Sequence, residues 1–364
     1  MGDQGDENIT VTSVTEAPEQ KYEATFLELF FDLVFVFAVS QLSHHLLTHL
    51  SWRGAAETLV MLVAILTVWT YTSWAATKIR ADQSRTRWMI LAVMLLGLFM
   101  NASVTKAFTT SAWAFVIPLL LIQLGRTAWT IVNSKKGVYR EHYFRVLIWF
   151  VAIMPLWIAG AATDPSSRLV WWTLAAGLEL TGTWLAHPVP GRRLESENVP
   201  FDADHMMERC RLFLIIALGE TVLTTGTAIA EVSMTVMTVV TGAFALAGTV
   251  ALWALSFGRS HILIQQHLEE TSDPISTSRY AINVLMVIVA GLIAVAVGNN
   301  VVIAHPVGQS SIALSLLLCG GPILFLIAQS WYLWAVLGVS PRLHIIGIAI
   351  LVLIGLPRCL RRPL

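Results

Sequence analysis

Charge is what this sequence is short of. Only 13% of its 364 residues are Asp, Glu, Lys or Arg, against about 25% in ordinary soluble proteins. The acids and bases that are present balance to a formal net charge of +0. No basic cluster alternates with stacking aromatics, so no nucleic-acid partner is expected. Cysteine is scarce as well. Cys210, Cys319 and Cys359 are scattered without CxxC or zinc spacing and read as small, reduced core residues. No nucleophile elbow, Walker loop, dinucleotide fingerprint or kinase motif set occurs, and no metal or cofactor is expected. The opening stretch "MGDQGDENITVTSVTEAPEQ" has no base and no apolar run, so it lacks the features of a cleaved signal. Residues 1–25 read as a disordered acidic tail.

Apolar sequence is what the chain has in quantity: 56% hydrophobic residues and a mean hydropathy of +0.69. Runs of about 20 apolar residues follow one another, each long enough for a bilayer core of about 30 Å. The expectation is an all-α, polytopic transmembrane helix bundle with the lipid bilayer as its first partner. Eleven spans are placed near 26–47, 55–77, 88–106, 112–133, 145–162, 168–187, 209–230, 236–258, 280–303, 311–334 and 343–360, within a range of ten to twelve. Connections are short, so no separate soluble domain is expected. The polar stretch 188–205 divides a first half (26–187, six helices) from a second (206–364, five helices). Lys and Arg concentrate on the side of the N-terminus, which places that terminus in the cytoplasm and the chain in the plasma membrane. The basic tail Arg358, Arg361 and Arg362 is the exception, since eleven spans put it outside.

Glu28 opens "ELFFDLVFVFAVSQ" and Glu208 opens "ERCRLFLIIALGET", each at the mouth of an apolar run with six spans between them. An even offset implies a parallel two-fold repeat of six and five helices. The segments "ELFFDLVFVFAVSQLSHHL", "HMMERCRLFLIIALGETV" and "VAGLIAVAVGNNVVIAHP" together resemble the signatures of the bacterial low temperature requirement A family. The similarity covers nearly the whole chain after residue 25. The resemblance implies a multi-helix membrane protein needed for growth in the cold, with no settled biochemical activity. Where relatives often carry an acid after "AVG", this chain has Asn299 and Asn300.

Ionisable residues inside these spans are the candidate site. Glu28 and Asp32 are four apart and share a helix face. Two like charges so close in low dielectric suit a proton or cation site unless a cation intervenes. The bland alternative for Glu28 is a first-turn acid with its head in water. Arg209 at the mouth of the seventh span is the natural partner, if the two signature helices pack together. Glu220, eleven residues on, falls on the face of Arg209 and about 18 Å in from Glu208, near mid-bilayer. It is the strongest single candidate, against the reading of a protonated acid bonded to a neighbour helix. Arg126 either neutralises Glu220 or Glu179, or snorkels toward the cytoplasmic side. Glu179 lies mid-span between small residues. The proposed network is therefore Glu28, Asp32, Arg126, Glu179, Glu208, Arg209 and Glu220, with Asn299, Asn300 and His305 as a polar vestibule.

His44, His45 and His49 sit at the outer end of the first span with Glu57 a loop away, and no metal site is expected. The tryptophans, including Trp69, Trp157 and Trp172, read as an interfacial belt. "CGGP" at 319–322 reads as a close-packing or helix-breaking point. Three functional classes remain open: ion-coupled transport of a small ion or solute, a membrane-embedded enzyme acting on lipid, and a structural or sensory protein without turnover. The first is favoured because intramembrane ionisable groups usually mark pathways. Homo-oligomerisation is left open.

Overall fold

The computed structural model describes residues 24–79, 84–134, 137–190, 202–258, 274–306 and 311–360. Its regular elements among these residues are helical. Eleven long helices follow in order: α1 Phe26–Thr48, α2 Trp52–Ile79, α3 Ser84–Ala102, α4 Ala112–Asn133, α5 Val138–Ala162, α6 Pro165–Trp184, α7 Ala203–Ala230, α8 Val236–Phe257, α9 Pro274–Ala304, α10 Ile312–Leu337 and α11 Arg342–Leu360. Each coincides with one of the eleven apolar runs. Eight are long and apolar enough to cross a membrane. Residues 1–23 of the expected acidic tail and 191–201 of the expected 188–205 connection lie outside the described residues.

Several helices begin before the apolar run does, and at α7 a polar side-chain cap accounts for it. Thr25 and Glu28 form a reciprocal capping box at the start of α1. The Asp202 side chain accepts from the His205 backbone N–H at the start of α7, which moves that start back from 209 to 203. Gly338, at φ +63°, ends α10 in the left-handed conformation that glycine adopts without strain.

α1 sits at the centre, packed on α2 and α3 on one side and on α7 and α9 on the other. α4, α5 and α6 pack in sequence and lean on α2 through α4 and α6. α9 lies against α7 and α10, and α11 closes on α10. The "CGGP" segment does not break α10. Leu316–Gly320 widens into a π turn and the helix continues through Gly321. A Cβ on Gly291 would stand 2.8 Å from the Gly321 carbonyl, so α9 and α10 touch backbone to backbone there.

The tryptophans do not all form an interfacial belt. Trp69, Trp157 and Trp172 are fully buried among the helices. Trp69 and Trp157 each donate the indole N–H to a buried carboxylate, Asp32 and Glu179 respectively. A large ring with one donor fills a core position and also solvates a charge.

Candidate functional site

The seam between α1 and α7 holds a compact charge centre. Glu28, Asp32 and Arg209 expose 1%, 0% and 0% of their surface. Arg209 Nη1 donates to Glu28 Oε1 at 2.9 Å, and Nη2 to Asp32 Oδ1 at 2.6 Å, with Nε 3.4 Å from Asp32 Oδ2. Trp69 of α2 adds its indole N–H to Asp32 Oδ1 at 2.7 Å. The guanidinium carbon lies 5.6 Å over the Phe31 ring, and Trp69 packs on Phe213. The i, i+4 spacing of the acids puts both carboxylates toward one guanidinium, whose planar fork serves two acceptors at once. Glu28 is therefore not a mouth residue with its head in water. Glu28 contacts Arg209 near the start of both helices, so α1 and α7 begin at the same end of the bundle.

His205, one turn before Arg209, is part of the centre and was not singled out from sequence. Its Nε2 is 3.3 Å from Glu28 Oε2, and its Nδ1 is 2.9 Å from Thr77 Oγ1. Glu28 Oε2 also accepts from the Thr25 N–H and hydroxyl at 2.9 and 3.0 Å. The signal was available: 205 and 209 are four apart on one face, whereas 208 is turned away. Two carboxylates face one guanidinium, leaving one negative charge in excess when His205 is neutral.

The other candidates lie elsewhere. Glu208 is half-buried and makes no hydrogen bond or ion pair among the described residues. Glu220 is half-buried beside Ser40 of α1, with no cation in ion-pairing distance among the described residues. Glu179, 2% exposed, accepts at Oε1 from Gln123 Nε2 at 3.0 Å and Trp157 Nε1 at 2.9 Å. Arg126 is also 2% exposed and does not snorkel. Its Nη1 donates to the Val68 carbonyl at 3.1 Å and Thr72 Oγ1 at 3.3 Å. It reaches neither Glu220 nor the α1–α7 centre. Asn299 is buried near the end of α9, while His305 is exposed just beyond it.

With this geometry established, comparison with known proteins places the chain. The model of the bacterial low temperature requirement A protein (LtrA) matches residues 23–360. The chain belongs to this family. A relative from Rhizobium meliloti (strain 1021), described as an uncharacterised protein, is 32% identical over 333 residues, covering 90% of this chain and 81% of that protein. No solved structure matches the chain.

In this LtrA-family bundle the segments that carried the resemblance are α1, α7 and α9, three helices in mutual contact. Two of them supply the charge centre. At the opposite end of α1 is a second, smaller pair: His45 Nε2 stands 3.2 Å from Glu57 Oε2, and Arg53 Nε donates to Glu57 Oε1 at 2.8 Å. The α1–α2 turn is so short that Glu57 folds straight back onto His45, so the two are neighbours. Nearby, Arg168 spends its guanidinium on the carbonyls of Gly160, Ala107, Thr109 and Thr163. Four backbone acceptors from two loops and a helix end make it a tie between α5, α6 and the α3–α4 connection.

Proposed function

We propose that this LtrA-family chain is an ion-coupled carrier of the bacterial cytoplasmic membrane, with its N-terminus in the cytoplasm. The α1–α7 centre is its coupling site. The observation that carries the reading is the make-up of that site: two acids, Glu28 and Asp32, against one base, Arg209, all buried where α1 packs on α7. One excess negative charge in low dielectric costs several kcal/mol unless a proton or a cation joins it. Binding and release of that ion is the differential interaction that shifts a two-state bundle. His205, facing Glu28 from α7 and Thr77 from α2, is positioned to take the proton. Growth at low temperature, which the family's name describes, is then the physiological setting of the transport.

A second reading is favoured by the saturation of the guanidinium: Arg209 uses Nη1, Nη2 and Nε on the two acids. Such a fork also locks two helices together without any turnover. The test is flux in liposomes of purified wild type and Glu28→Gln, across a panel of protons, alkali cations and anions under an imposed potential. The carrier reading expects a wild-type flux that Glu28→Gln, folded by size exclusion and melting, loses or uncouples. No wild-type flux for any ion, or a flux that Glu28→Gln keeps unchanged, overturns it in favour of the lock.

A further inference from the structure

The hydroxyl of Thr77 fixes which ring nitrogen of the buried His205 carries hydrogen. Thr77 Oγ1 is 2.9 Å from the Ser73 carbonyl oxygen, one turn back on α2, and 2.9 Å from His205 Nδ1. A carbonyl oxygen only accepts, and a hydroxyl has one hydrogen to give. The Thr77 hydrogen is therefore spent on Ser73, the back-bond that threonine makes within helices. Nδ1 must then donate to Thr77 Oγ1, so it is an N–H.

The other nitrogen, Nε2, faces Glu28 Oε2 at 3.3 Å. With the hydrogen of the neutral ring already at Nδ1, a bare Nε2 and a carboxylate oxygen would meet lone pair to lone pair. The contact needs one further proton, on Nε2 or on Oε2. That proton also supplies the positive charge that two acids against one guanidinium lack. A metal cation does not fit in its place, because every carboxylate oxygen of the centre already meets a donor. Glu28 Oε1 accepts from Arg209 Nη1, and Oε2 from the Thr25 N–H and hydroxyl. Asp32 Oδ1 accepts from Trp69 and Arg209 Nη2, while Oδ2 faces Arg209 Nε. A hard cation takes several oxygens with lone pairs to offer, and no group of three metal-ligating side chains occurs among the described residues. Around His205, α7 itself adds Asp202, which accepts from the His205 backbone N–H at 2.9 Å. Tyr332 of α10 is turned to Met207 Sδ, and Tyr280 of α9 to Trp184 and Trp331.

We infer that the coupling ion of the α1–α7 centre is a proton, held in the hydrogen bond between His205 Nε2 and Glu28 Oε2. The geometry described is that of the proton-loaded site. Loading adds one proton and no heavy atom, forming an N–H or O–H bond that breaks when the proton returns to water. The proton's role in transport rests on the carrier reading above, whereas its place between the two side chains does not.

Nitrogen NMR of the purified full chain, isotope-labelled in its histidine rings, reads this site without any transport. His205→Gln identifies the two resonances by their loss. The expected result is an Nδ1 that stays protonated across a pH titration and an Nε2 signal that shifts as the shared proton comes and goes. Thr77→Val should move the hydrogen of the neutral ring from Nδ1 to Nε2. Thr77→Ser, which keeps the hydroxyl, should restore the wild-type pattern. If His205→Gln does not fold, the ring whose signals Thr77→Val shifts is His205. Sodium, potassium or calcium exchanged for a bulky organic cation at matched ionic strength should leave these signals in place. A neutral His205 with hydrogen on Nε2 and a bare Nδ1 overturns the inference, as does a saturable shift of its signals by a metal cation. The expected tautomer in a chain that moves no ion would overturn the carrier reading alone.

Discussion

Arg209 is the residue on which the α1–α7 seam depends, since each of its three guanidinium nitrogens meets a carboxylate oxygen. Removing one partner of a buried pair leaves an uncompensated charge, costing about 3–5 kcal/mol. Arg209→Ala is therefore expected to lower Tm sharply in detergent, and Arg209→Lys to recover only part of it, because an ammonium lacks the planar fork. A melt of Arg209→Ala within a degree or two of wild type would contradict this. His187, three residues beyond α6, gives a pH test. Burial, with His142 and Arg145 beside it, holds its pKa down to about 3 from an ordinary 6.5. The unfolded chain then binds the extra proton between those values, so stability falls as pH drops from about 6.5 toward 3. His187→Gln is expected to flatten that part of the Tm–pH profile, and an unchanged slope would locate the proton elsewhere. At this scale the i, i+4 spacing put Glu28 and Asp32 on one face, while their pairing with Arg209 followed only if the two signature helices packed together. The roles of Trp69 and Trp157 were not, because a tryptophan near a span end reads as interfacial until the bundle around it is known.

The helices themselves were legible because bilayer length and apolar runs determine them together. What the runs do not carry is the polar cap: Asp202 extends α7 into sequence that hydropathy scores as loop. Nor does a run of "CGGP" say whether it breaks a helix or lets two approach. Here Gly291 and Gly321 do the latter. Gly291→Ala would place its Cβ against a backbone carbonyl, and overpacking of this kind costs about 1–3 kcal/mol. Gly219 of α7 has open space around its would-be Cβ, so Gly219→Ala should instead gain from helix propensity by roughly 0.5–1 kcal/mol. Opposite signs of ΔTm for the two variants are expected. Equal signs would mean that α9 and α10 are not in backbone contact.

At the scale of the whole molecule, the seven charged residues first grouped as one network divide between places the sequence could not separate. Glu28, Asp32 and Arg209 meet at the α1–α7 seam. Arg126 and Glu179 lie within the first six helices, while Glu208 and Glu220 are half-buried and outside both groups. Spacing along a helix fixes which residues share a face, but the neighbour that face meets depends on packing between helices distant in sequence. The seam and the buried Arg126 are therefore held by different sets of helices.

Asp32→Asn tests most directly whether the seam is a coupling centre. The amide keeps the size of the carboxyl and can still accept from Trp69 and Arg209, while the charge is removed. Melting and ion flux would be measured on the same purified preparation, the latter after reconstitution into liposomes. The coupling role predicts a folded Asp32→Asn protein whose wild-type flux is lost or no longer responds to the driving ion. A folded variant with wild-type flux would contradict it, as would a wild type that moves no ion at all.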